Sequence, residues 1–346
     1  MSRYLVTGAT GFLGAHLVRV LVEAGHEVVA FARKSPADGV LASNGVAFRS
    51  APSLVTFRKG DILDAASVKD AAAGCDGVFH CAGKVSRDPA DAELLQKVHV
   101  QGTKTVLSAC KEAGVKRAVV ASTSGTVAIG DDPDHIASES DETPIGIVNH
   151  FPYYRSKLFA ERAALEMNSA DFEVISVNPT ILLGPGDRDG SSTGDVRQFL
   201  EKKIPAIPGG GLSYVDVRDA AEAMWLAMQK GVAGERYLVG ACNVTMAEFF
   251  ARLERVSGVR GPVFPMPRMP NVARAGATIL ERAMGKIGLQ LPVDPVSLEM
   301  SQYFWYLDAN KAETVLGWSS RDPMTTLQDT VDDLRLRGVV WPTESV

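Results

Sequence analysis

Two side chains that could move a proton to or from a substrate stand four residues apart. Tyr153 and Lys157 lie in the segment Pro152-Tyr153-Tyr154-Arg155-Ser156-Lys157, and residues i and i+4 of a helix share one face. An ammonium beside a phenol favours the ionised phenol and lowers a pKa that is ordinarily about 10. We therefore expect Tyr153 to act as a general acid or base near neutral pH.

A segment rich in hydroxyls, Ser122-Thr123-Ser124-Gly125-Thr126-Val127, precedes this pair. Side chains alternate along an extended segment, so we expect Ser122 and Ser124 to point one way and Thr123 the other. Each of these hydroxyls could bind a substrate oxygen, and each could instead bond to its own loop.

A glycine-rich turn near the N-terminus adds a nucleotide site. Gly8, Gly11 and Gly14 follow a predicted strand and open a predicted helix, so backbone N–H groups and the positive helix end would face a pyrophosphate. The spacing is G-x-x-G-x-x-G and differs from G-x-G-x-x-G. The residues predicted to contact the nucleotide here are Gly8, Thr10, Gly11, Phe12 and Leu13.

The end of the second predicted strand indicates which dinucleotide is bound. A carboxylate at this position would bind the ribose 2′-hydroxyl of NAD, but the chain has Arg33 and Lys34 instead. Adjacent cations suit the 2′-phosphate of NADP, so NADP is the expected cofactor and NAD is the alternative. The two cations could also be ordinary solvated surface residues.

Two later segments are expected to complete the cofactor site. Asp61 and Ile62 follow the third strand and would lie near the adenine, although Asp61 could equally cap the helix that begins at Ala65. The fourth strand ends in His80 and is followed by small residues that allow a ribose to approach closely, namely Cys81, Ala82 and Gly83. His80 itself is expected to be a core or hinge residue.

These groups must be positioned by alternating strands and helices, which predict an α/β fold with a doubly wound parallel sheet, a Rossmann fold. The predicted strands are Tyr4–Thr7, Glu27–Ala32, Thr56–Lys59, Gly77–Cys81, Arg117–Ser122 and Glu173–Asn178. The predicted helices are Phe12–Ala24, Ala65–Ala73, Asp91–Glu112 and Tyr153–Asn168. Ligands of such folds bind at the carboxyl ends of the strands.

After residue 180 the pattern loosens into turn-forming glycines and prolines, which predicts a smaller, discontinuous mixed α/β lobe. We place the NADP-binding Rossmann domain at 1–180 with a return segment at about 211–240, and the substrate-binding lobe at 181–210 and 241–346. Ser213–Val217 and Arg236–Val239 are the short strands expected to return to the sheet, beside a helix over Arg218–Lys230.

Composition limits the classes of function. The chain has 346 residues, of which 46% are hydrophobic and 22% charged, as in globular proteins with a large core. A net charge of -5 without a basic cluster argues against a nucleic-acid partner, because nothing would attract a phosphate backbone. Four cysteines without C-x-x-C spacing predict neither a metal site nor a disulfide framework.

Targeting patterns are absent from the sequence as given. The N-terminus enters a strand directly, and the apolar stretch from Val272 to Leu291 is interrupted by charged residues, so an amphipathic helix is expected there and not a membrane span. We expect a cytoplasmic protein.

Taken in order, the motifs resemble those of the extended short-chain dehydrogenases/reductases, the NAD-dependent epimerase/dehydratase family. The similarity extends from the glycine turn to about Gly317-Trp318 and includes Gly60-Asp61-Ile62, Asn178-Pro179-Thr180 and Gly184-Pro185-Gly186-Asp187. The resemblance implies a catalytic triad of Ser124, Tyr153 and Lys157, with Tyr153, Lys157 and Pro179 also at the cofactor. Ser122 and Thr123 remain alternatives for the catalytic hydroxyl.

Within the family, the chain is most similar to dihydroflavonol 4-reductases, cinnamoyl-CoA reductases and 3β-hydroxysteroid dehydrogenases. This implies an NADP-dependent oxidoreductase that moves a hydride between the nicotinamide and a ketone or secondary alcohol on a bulky, mostly hydrophobic or aromatic small molecule. The alternatives are an NAD-retaining sugar-nucleotide epimerase or dehydratase and, more remotely, a non-catalytic NADP sensor. Relatives often form homodimers through the helices that correspond to Asp91–Glu112 and Tyr153–Asn168.

The chain departs from the family at His99, where many relatives have asparagine; we expect a hydrogen-bonded structural histidine. Methionines, prolines and aromatic residues in Phe264–Pro270, Val272–Ile287 and Gln302–Tyr306 suit a hydrophobic ligand, or simply a lobe core. An acidic loop lies where relatives cover the substrate, and as a lid that faces the cleft it would disfavour polyanions; its carboxylates are Asp131, Asp132, Asp134, Glu139 and Glu142.

Overall fold

The computed structural model describes residues 1–34, 52–266, 268 and 295–341. Seven parallel strands form a large sheet in the order β3-β2-β1-β4-β5-β6-β9. They are β1 (Arg3–Thr7), β2 (Glu27–Ala32), β3 (Val55–Lys59), β4 (Gly77–His80), β5 (Arg117–Ala121), β6 (Glu173–Pro179) and β9 (Arg236–Val239). The predicted Rossmann fold is confirmed. The predicted helix Val272–Ile287 lies outside the described residues.

Helices cover both faces of the large sheet, so most residues of its central strands are buried. The α-helices are α1 (Phe12–Glu23), α2 (Ala65–Ala72), α3 (Ala92–Gln96), α4 (Gly102–Glu112), α5 (Ile145–Val148), α6 (Pro152–Leu165), α7 (Gly194–Leu200), α8 (Val217–Lys230), α9 (Met246–Ser257), α10 (Pro295–Met300) and α11 (Pro323–Leu336). The predicted strands and helices of the first half are confirmed, with ends that shift by up to three residues.

One predicted helix is interrupted. Between α3 and α4 the chain widens into a π-helical turn over Lys97–Gln101, so the helix predicted for Asp91–Glu112 consists of three parts. Turns of this kind often mark functional sites, because the extra residue displaces a side chain from the regular helical positions. Here the turn carries His99, which is buried.

A second sheet of three strands lies beside the large one, with β8 (Gly211–Asp216) between β7 (Ile181–Leu183) and β10 (Cys242–Thr245). The prediction that the strand at Ser213–Val217 returns to the large sheet is therefore wrong. Its Tyr214 is buried against Phe249, in the core of the smaller lobe. Arg236–Val239 does join the large sheet, pairing with β6.

Ion pairs fasten the return segment to the C-terminal part of the chain. Asp216 caps the start of α8 and pairs with Arg218, which also contacts Asp329 on α11. Asp219 pairs with Arg321. The two lobes are thus joined by buried carboxylates as well as by apolar packing. Over the described ranges, no helix has the length and apolarity needed to cross a membrane.

Candidate active site

The Tyr153 and Lys157 pair lies in the first turns of α6, which Pro152 begins. Proline is favoured at that position because its fixed φ suits a helix and its missing N–H needs no partner. Tyr153 and its neighbour Tyr154 line a cavity of about 660 Å³, together with the segment from Ser122 to Gly125. The predicted phenol and the hydroxyl-rich segment therefore share one cavity wall.

The expectation that Lys157 lowers the pKa of Tyr153 is wrong for this structure. Burial raises the pKa of the Tyr153 phenol above its ordinary value, and the nearby Tyr154 raises it further. The two tyrosine rings meet edge to face, with centroids 5.1 Å apart. An apolar wall disfavours the phenolate, so Tyr153 is a protonated group at neutral pH.

Lys157 is held away from the cavity by the backbone. Its ammonium donates a hydrogen bond of 2.6 Å to the carbonyl of Ala121, at the end of β5. Burial lowers the pKa of Lys157 to about 8, although the carboxylate of Glu161 raises it in part. Lys157 is therefore a cation that titrates just above neutrality.

Glu161, which the sequence analysis missed, organises the base of the site. Its buried carboxylate accepts hydrogen bonds from the Ser122 hydroxyl, from Thr126 at 3.1 Å and from the Asn178 amide at 2.6 Å. Arg236 lies 3.4 Å away. A buried carboxylate is tolerated only when it is paired and hydrogen-bonded, and this one connects α6 with β6, β9 and the hydroxyl-rich segment.

The three candidate hydroxyls differ in their partners. Ser122 donates to Glu161, and Thr123 accepts from the backbone N–H of Gly125. Ser124 begins a 3-10 turn and is buried, and its hydroxyl bonds to no residue that the structure describes. Ser124 therefore has a hydroxyl left for a ligand in the cavity.

His99 connects the loop after β4 to the first turn of α6. Its Nε2 accepts from the backbone N–H of Lys84 at 3.1 Å, and its Nδ1 lies 2.8 Å from the Ser156 hydroxyl. Ser156 in turn donates to the carbonyl of Tyr153. These bonds assign the proton to Nδ1, and burial lowers the pKa of His99 to about 3. The predicted hydrogen-bonded structural histidine is confirmed, and its ring meets Tyr153 edge to face.

His80 is likewise a core residue, as predicted. It hydrogen-bonds to Thr7 on β1 and to Thr103 on α4, and burial lowers its pKa to about 3.

The glycine turn between β1 and α1 fits a dinucleotide. A Cβ on Gly14 would lie 2.2 Å from the carbonyl oxygen of Gly8, so only glycine lets the helix approach the turn this closely. Gly8, with φ of +70°, packs against the backbone of Ala82. Gly11 caps α1 without a side-chain hydrogen bond. The first amides of α1, from Phe12 and Leu13, therefore have no side-chain cap and suit a phosphate.

The other predicted cofactor residues lie along the same edge of the large sheet. Arg33 and Lys34 are exposed just beyond β2. Asp61 accepts from the backbone N–H of Leu63 and does not cap the next helix; Asp64 does. Four further predicted residues follow the ends of β3 and β4, namely Ile62, Cys81, Ala82 and Gly83, and Pro179 ends β6. Burial raises the pKa of the Cys81 thiol to about 12.

The cavity beyond Tyr153 is mostly apolar. Tyr154 packs on Trp305, with ring centroids 4.7 Å apart, and both line the cavity. Apolar lining residues from the smaller lobe are Leu183, Val196, Leu212, Met246, Phe249, Phe250, Met266 and Met300. Tyr154 is thus part of the cavity wall, and part of the predicted Met- and aromatic-rich lobe sequence contacts the cavity.

The acidic loop does not cover this cavity. Asp131, Asp132 and Asp134 are exposed and absent from the lining that the described residues form, and Glu139 accepts from the backbone of Leu238. The loop turns outward because its backbone is held at Gly130 and Ala137 by Phe304 and Tyr306. The predicted acidic lid is therefore wrong.

A glycine turn at a Rossmann switch point, together with a tyrosine that lines a cavity and a lysine one helical turn behind it, is the fold and site of a nicotinamide-dependent oxidoreductase. The sequence profile described as the NAD dependent epimerase/dehydratase family matches residues 4–240. The chain belongs to this family, as an extended short-chain dehydrogenase/reductase and an NAD(P)-dependent oxidoreductase.

Individual relatives cover the whole chain. A Synechocystis sp. protein named as a dihydroflavonol 4-reductase is 31% identical over 97% of this chain and 96% of its own. A Stigmatella aurantiaca protein named 4-hydroxy-2-methyl-3-oxo-4-farnesyl-3,4-dihydroquinoline-1-oxide ketoreductase is 30% identical over 97% of this chain and 96% of its own. The crystal structure of gox2253 superposes with a TM-score of 0.82 and 26% identity, covering 99% and 100% of the two chains.

Proposed function

We propose that this protein is an NADP-dependent reductase of a ketone, or dehydrogenase of the matching secondary alcohol, on a bulky and mostly hydrophobic or aromatic small molecule. The observation that carries the proposal is the large apolar cavity that opens directly onto Tyr153 and Ser124. A cavity of this size and lining binds ligands through apolar contact and orients them with few polar groups. The two relatives named as reductases support the same chemistry.

The chain's own groups divide the work of carbonyl reduction. A bound nicotinamide supplies the hydride. Tyr153, protonated because burial raises its pKa, donates a proton to the carbonyl oxygen as negative charge develops there. Ser124 donates a hydrogen bond to the same oxygen. Lys157 lies behind Tyr153 and Ser124 as a positive charge, and it is the residue that would hold the nicotinamide ribose.

The preference for NADP rests on Arg33 and Lys34. Both are exposed at the end of β2, where a carboxylate would be needed to favour NAD. We expect kcat/KM with NADPH to exceed that with NADH, and an Arg33→Asp variant to reverse the order. Equal use of both cofactors by the unaltered protein would contradict the assignment.

Replacing the phenol tests the catalytic scheme. Tyr153→Phe should lower turnover by about 10²–10⁴, the usual cost of losing a general acid, while NADPH binding followed by fluorescence titration stays nearly intact. Tyr154→Phe is the matched control, because it removes a neighbouring hydroxyl from the same wall and should keep most activity. Full activity in Tyr153→Phe would refute the scheme.

The alternative is a sugar-nucleotide epimerase or dehydratase, which the family description also covers. Such substrates carry a diphosphate, and among the described lining residues Arg87 is the one cation, already paired with Asp195. Because the lining formed by the described residues offers no unpaired positive charge for a diphosphate, it favours the reductase over the sugar-nucleotide enzyme. Purified protein that retains NAD and gives no net NADPH oxidation with ketones, flavonoids or steroids would favour the epimerase, and bound dinucleotide without any turnover would favour a sensor.

We also propose a homodimer. The short helix α3 packs against α6, and each exposes a large apolar side chain, Leu94 at 43% and Phe159 at 44%. Exposed apolar residues on adjacent helices are typical of interfaces.

A cytoplasmic location is supported by the four cysteines, all of which are free thiols.

A further inference from the structure

The buried carboxylate of Glu161 lies behind the wall that carries the candidate reacting groups, and its side chain is turned inward from α6. Its Oε2 accepts hydrogen bonds from the hydroxyls of Ser122 and Thr126 and from the Asn178 amide. The guanidinium of Arg236, on β9, lies 3.4 Å from Oε1. These partners are donors or cations, as a buried carboxylate requires, so they fit the ionised form of Glu161.

Two of these hydrogen bonds bracket Ser124, whose hydroxyl bonds to no residue that the structure describes. Ser122 precedes it by two residues and Thr126 follows it by two, and both hydroxyls donate to the same oxygen of Glu161. Asn178 strengthens this anchor, because its amide also donates to the backbone carbonyl of the intervening segment, at 3.2 Å. The backbone that carries Ser124 is therefore held on both sides by a side chain of α6.

The same carboxylate belongs to the helix that carries the other two reacting groups. Glu161 follows Lys157 by four residues, as Lys157 follows Tyr153, so all three side chains lie along one face of α6. The charge of Glu161 raises the pKa of Lys157 against the effect of burial. One anion thus holds the segment around Ser124 and also acts on the charge of Lys157.

The other titratable groups described around Lys157 carry no charge at neutral pH. Burial raises the pKa of the Cys81 thiol to about 12, and it lowers the pKa of His80 and that of His99 to about 3. The neighbouring phenol on α6 keeps its proton, because burial raises its pKa as well. Of these described neighbours, Glu161 is therefore the one whose charge stabilises the ammonium.

We propose that Glu161 is a positioning residue for the reaction: its carboxylate keeps Lys157 charged and holds Ser124 in the cavity wall that it shares with Tyr153. Glu161 is absent from the lining that the described residues form, so its effect on a substrate passes through these neighbours. The inference rests on the proposed function, because the neighbours have their roles in carbonyl reduction.

The first variant removes the charge of the carboxylate and keeps its shape. Glu161→Gln retains an oxygen that can accept from the same three donors, but it no longer stabilises the ammonium. We expect the pKa of Lys157 to fall by about one unit or more, the usual effect of losing a nearby opposite charge. A cation with a lower pKa loses its proton at lower pH, so the alkaline decline of kcat/KM should move down by the same amount.

Two measurements follow the charge of Lys157. The pH profile of kcat/KM reports it during turnover, and an NMR titration of isotope-labelled lysine side chains reports it without cofactor or substrate. The signal that is missing from Lys157→Arg identifies Lys157. Glu166→Gln is the matched control, because it makes the same change at the exposed C-terminal end of α6, and it should leave both measurements unaltered.

A double variant separates position from charge. Ser122→Ala combined with Thr126→Val frees the segment around Ser124 but leaves the charge of Glu161 in place. We expect kcat to fall by about 10–10²-fold, because a misplaced hydroxyl loses its alignment with the reacting oxygen. The pKa of Lys157 should not fall in this variant.

Arg236→Met keeps the inference testable if Glu161→Gln does not fold. It removes the positive charge that faces Glu161 from β9, so the pKa of Lys157 should rise, opposite to the shift in Glu161→Gln. An unaltered Lys157 pKa in Glu161→Gln, or in Arg236→Met where the former does not fold, would overturn the role of the charge. Undiminished kcat in the double variant would overturn the positioning of Ser124.

Failure of this inference differs from failure of the proposed function. Absence of NADPH oxidation with every uncharged ketone would overturn the reductase assignment. The NMR titration would still report the pKa of Lys157 in that event, because it needs neither cofactor nor substrate.

Discussion

Tyr153 and Lys157 share a helix face, yet burial moves their pKa values in opposite directions. Burial disfavours the charged form of each group, so it raises the pKa of the phenol and lowers that of the ammonium to about 8. Tyr153 is consequently protonated in the resting site, as the proposed proton donor must be. Lys157, anchored on the Ala121 carbonyl, contributes charge and position.

The need for a charged Lys157 beside a protonated Tyr153 predicts that kcat/KM for carbonyl reduction depends on pH. A lysine with a lowered pKa is charged below that pKa and neutral above it, so reduction that needs the ammonium should decline as pH rises through about 8. The measurement is kcat/KM for carbonyl reduction from pH 6 to 10. Lys157→Arg should be slower but should lack the decline, because a guanidinium stays charged over this range. An unchanged alkaline limb in that variant would assign the decline to another group.

At the scale of single residues, the sequence predicts the groups that belong to short motifs. Tyr153 and the hydroxyl-rich segment line one cavity, and Lys157 lies behind them on the Ala121 carbonyl. Glu161 was missed because a glutamate four residues after a lysine in a helix is usually a solvated ion pair. Arg87 was missed because its partner Asp195 is 108 residues away, and no local pattern reports so distant a contact.

Among the elements, the turn from β1 into α1 has a strict steric requirement. The space at Gly14 is bounded by the backbone of Gly8, which cannot move aside as a flexible side chain could. The glycine sets how closely α1 approaches β1, and thereby where the first amides of the helix point.

Gly14→Ala should therefore weaken NADPH binding by at least about tenfold and lower the free energy of unfolding by about 1–3 kcal/mol, the usual cost of overpacking. Fluorescence titration and thermal unfolding measure the two effects. Gly146→Ala is the control, since a Cβ at Gly146 meets nothing within 4 Å. Normal cofactor affinity in Gly14→Ala would show that the turn can relax.

Most helices and strands could be predicted from the sequence, but the neighbouring strands with which they pair could not always be. The strands of the first half stand out because runs such as Val28–Ala32 are continuously apolar. The strand Gly211–Asp216 was also recognised, but its sheet was wrong, since a strand pattern does not specify which neighbour it pairs with. The π-helical turn at Lys97–Gln101 has no sequence pattern that would distinguish it from a regular helix.

For the whole molecule, the outer surface of α3 and α6 yields a prediction about assembly. Phe159→Glu should convert the proposed homodimer to a monomer, because a charge at the centre of an apolar contact is left without a partner. Light scattering coupled to size-exclusion chromatography measures the mass. Leu336→Glu is the control, as Leu336 is 88% exposed on α11. A protein that is monomeric without substitution would disprove the dimer.

The overall architecture was predictable, because repeated β-α-β order permits few topologies. The way in which the second half of the chain divides between the two lobes was not predictable, since it depends on contacts between residues far apart in the sequence. Trp318 donates to the Asp219 carbonyl across 99 residues, and only the folded chain brings such groups together.

The late position of β9 in the sequence has a consequence for the chain while the ribosome is making it. Strand β6 is complete at Pro179, but its remaining neighbour in the large sheet, β9, ends only at Val239. While the intervening residues leave the ribosome, β6 presents an open edge of backbone N–H and C=O groups, the kind of surface that pairs with other chains. The nascent chain is therefore exposed to aggregation during this interval, and slow translation after residue 180 would lengthen it.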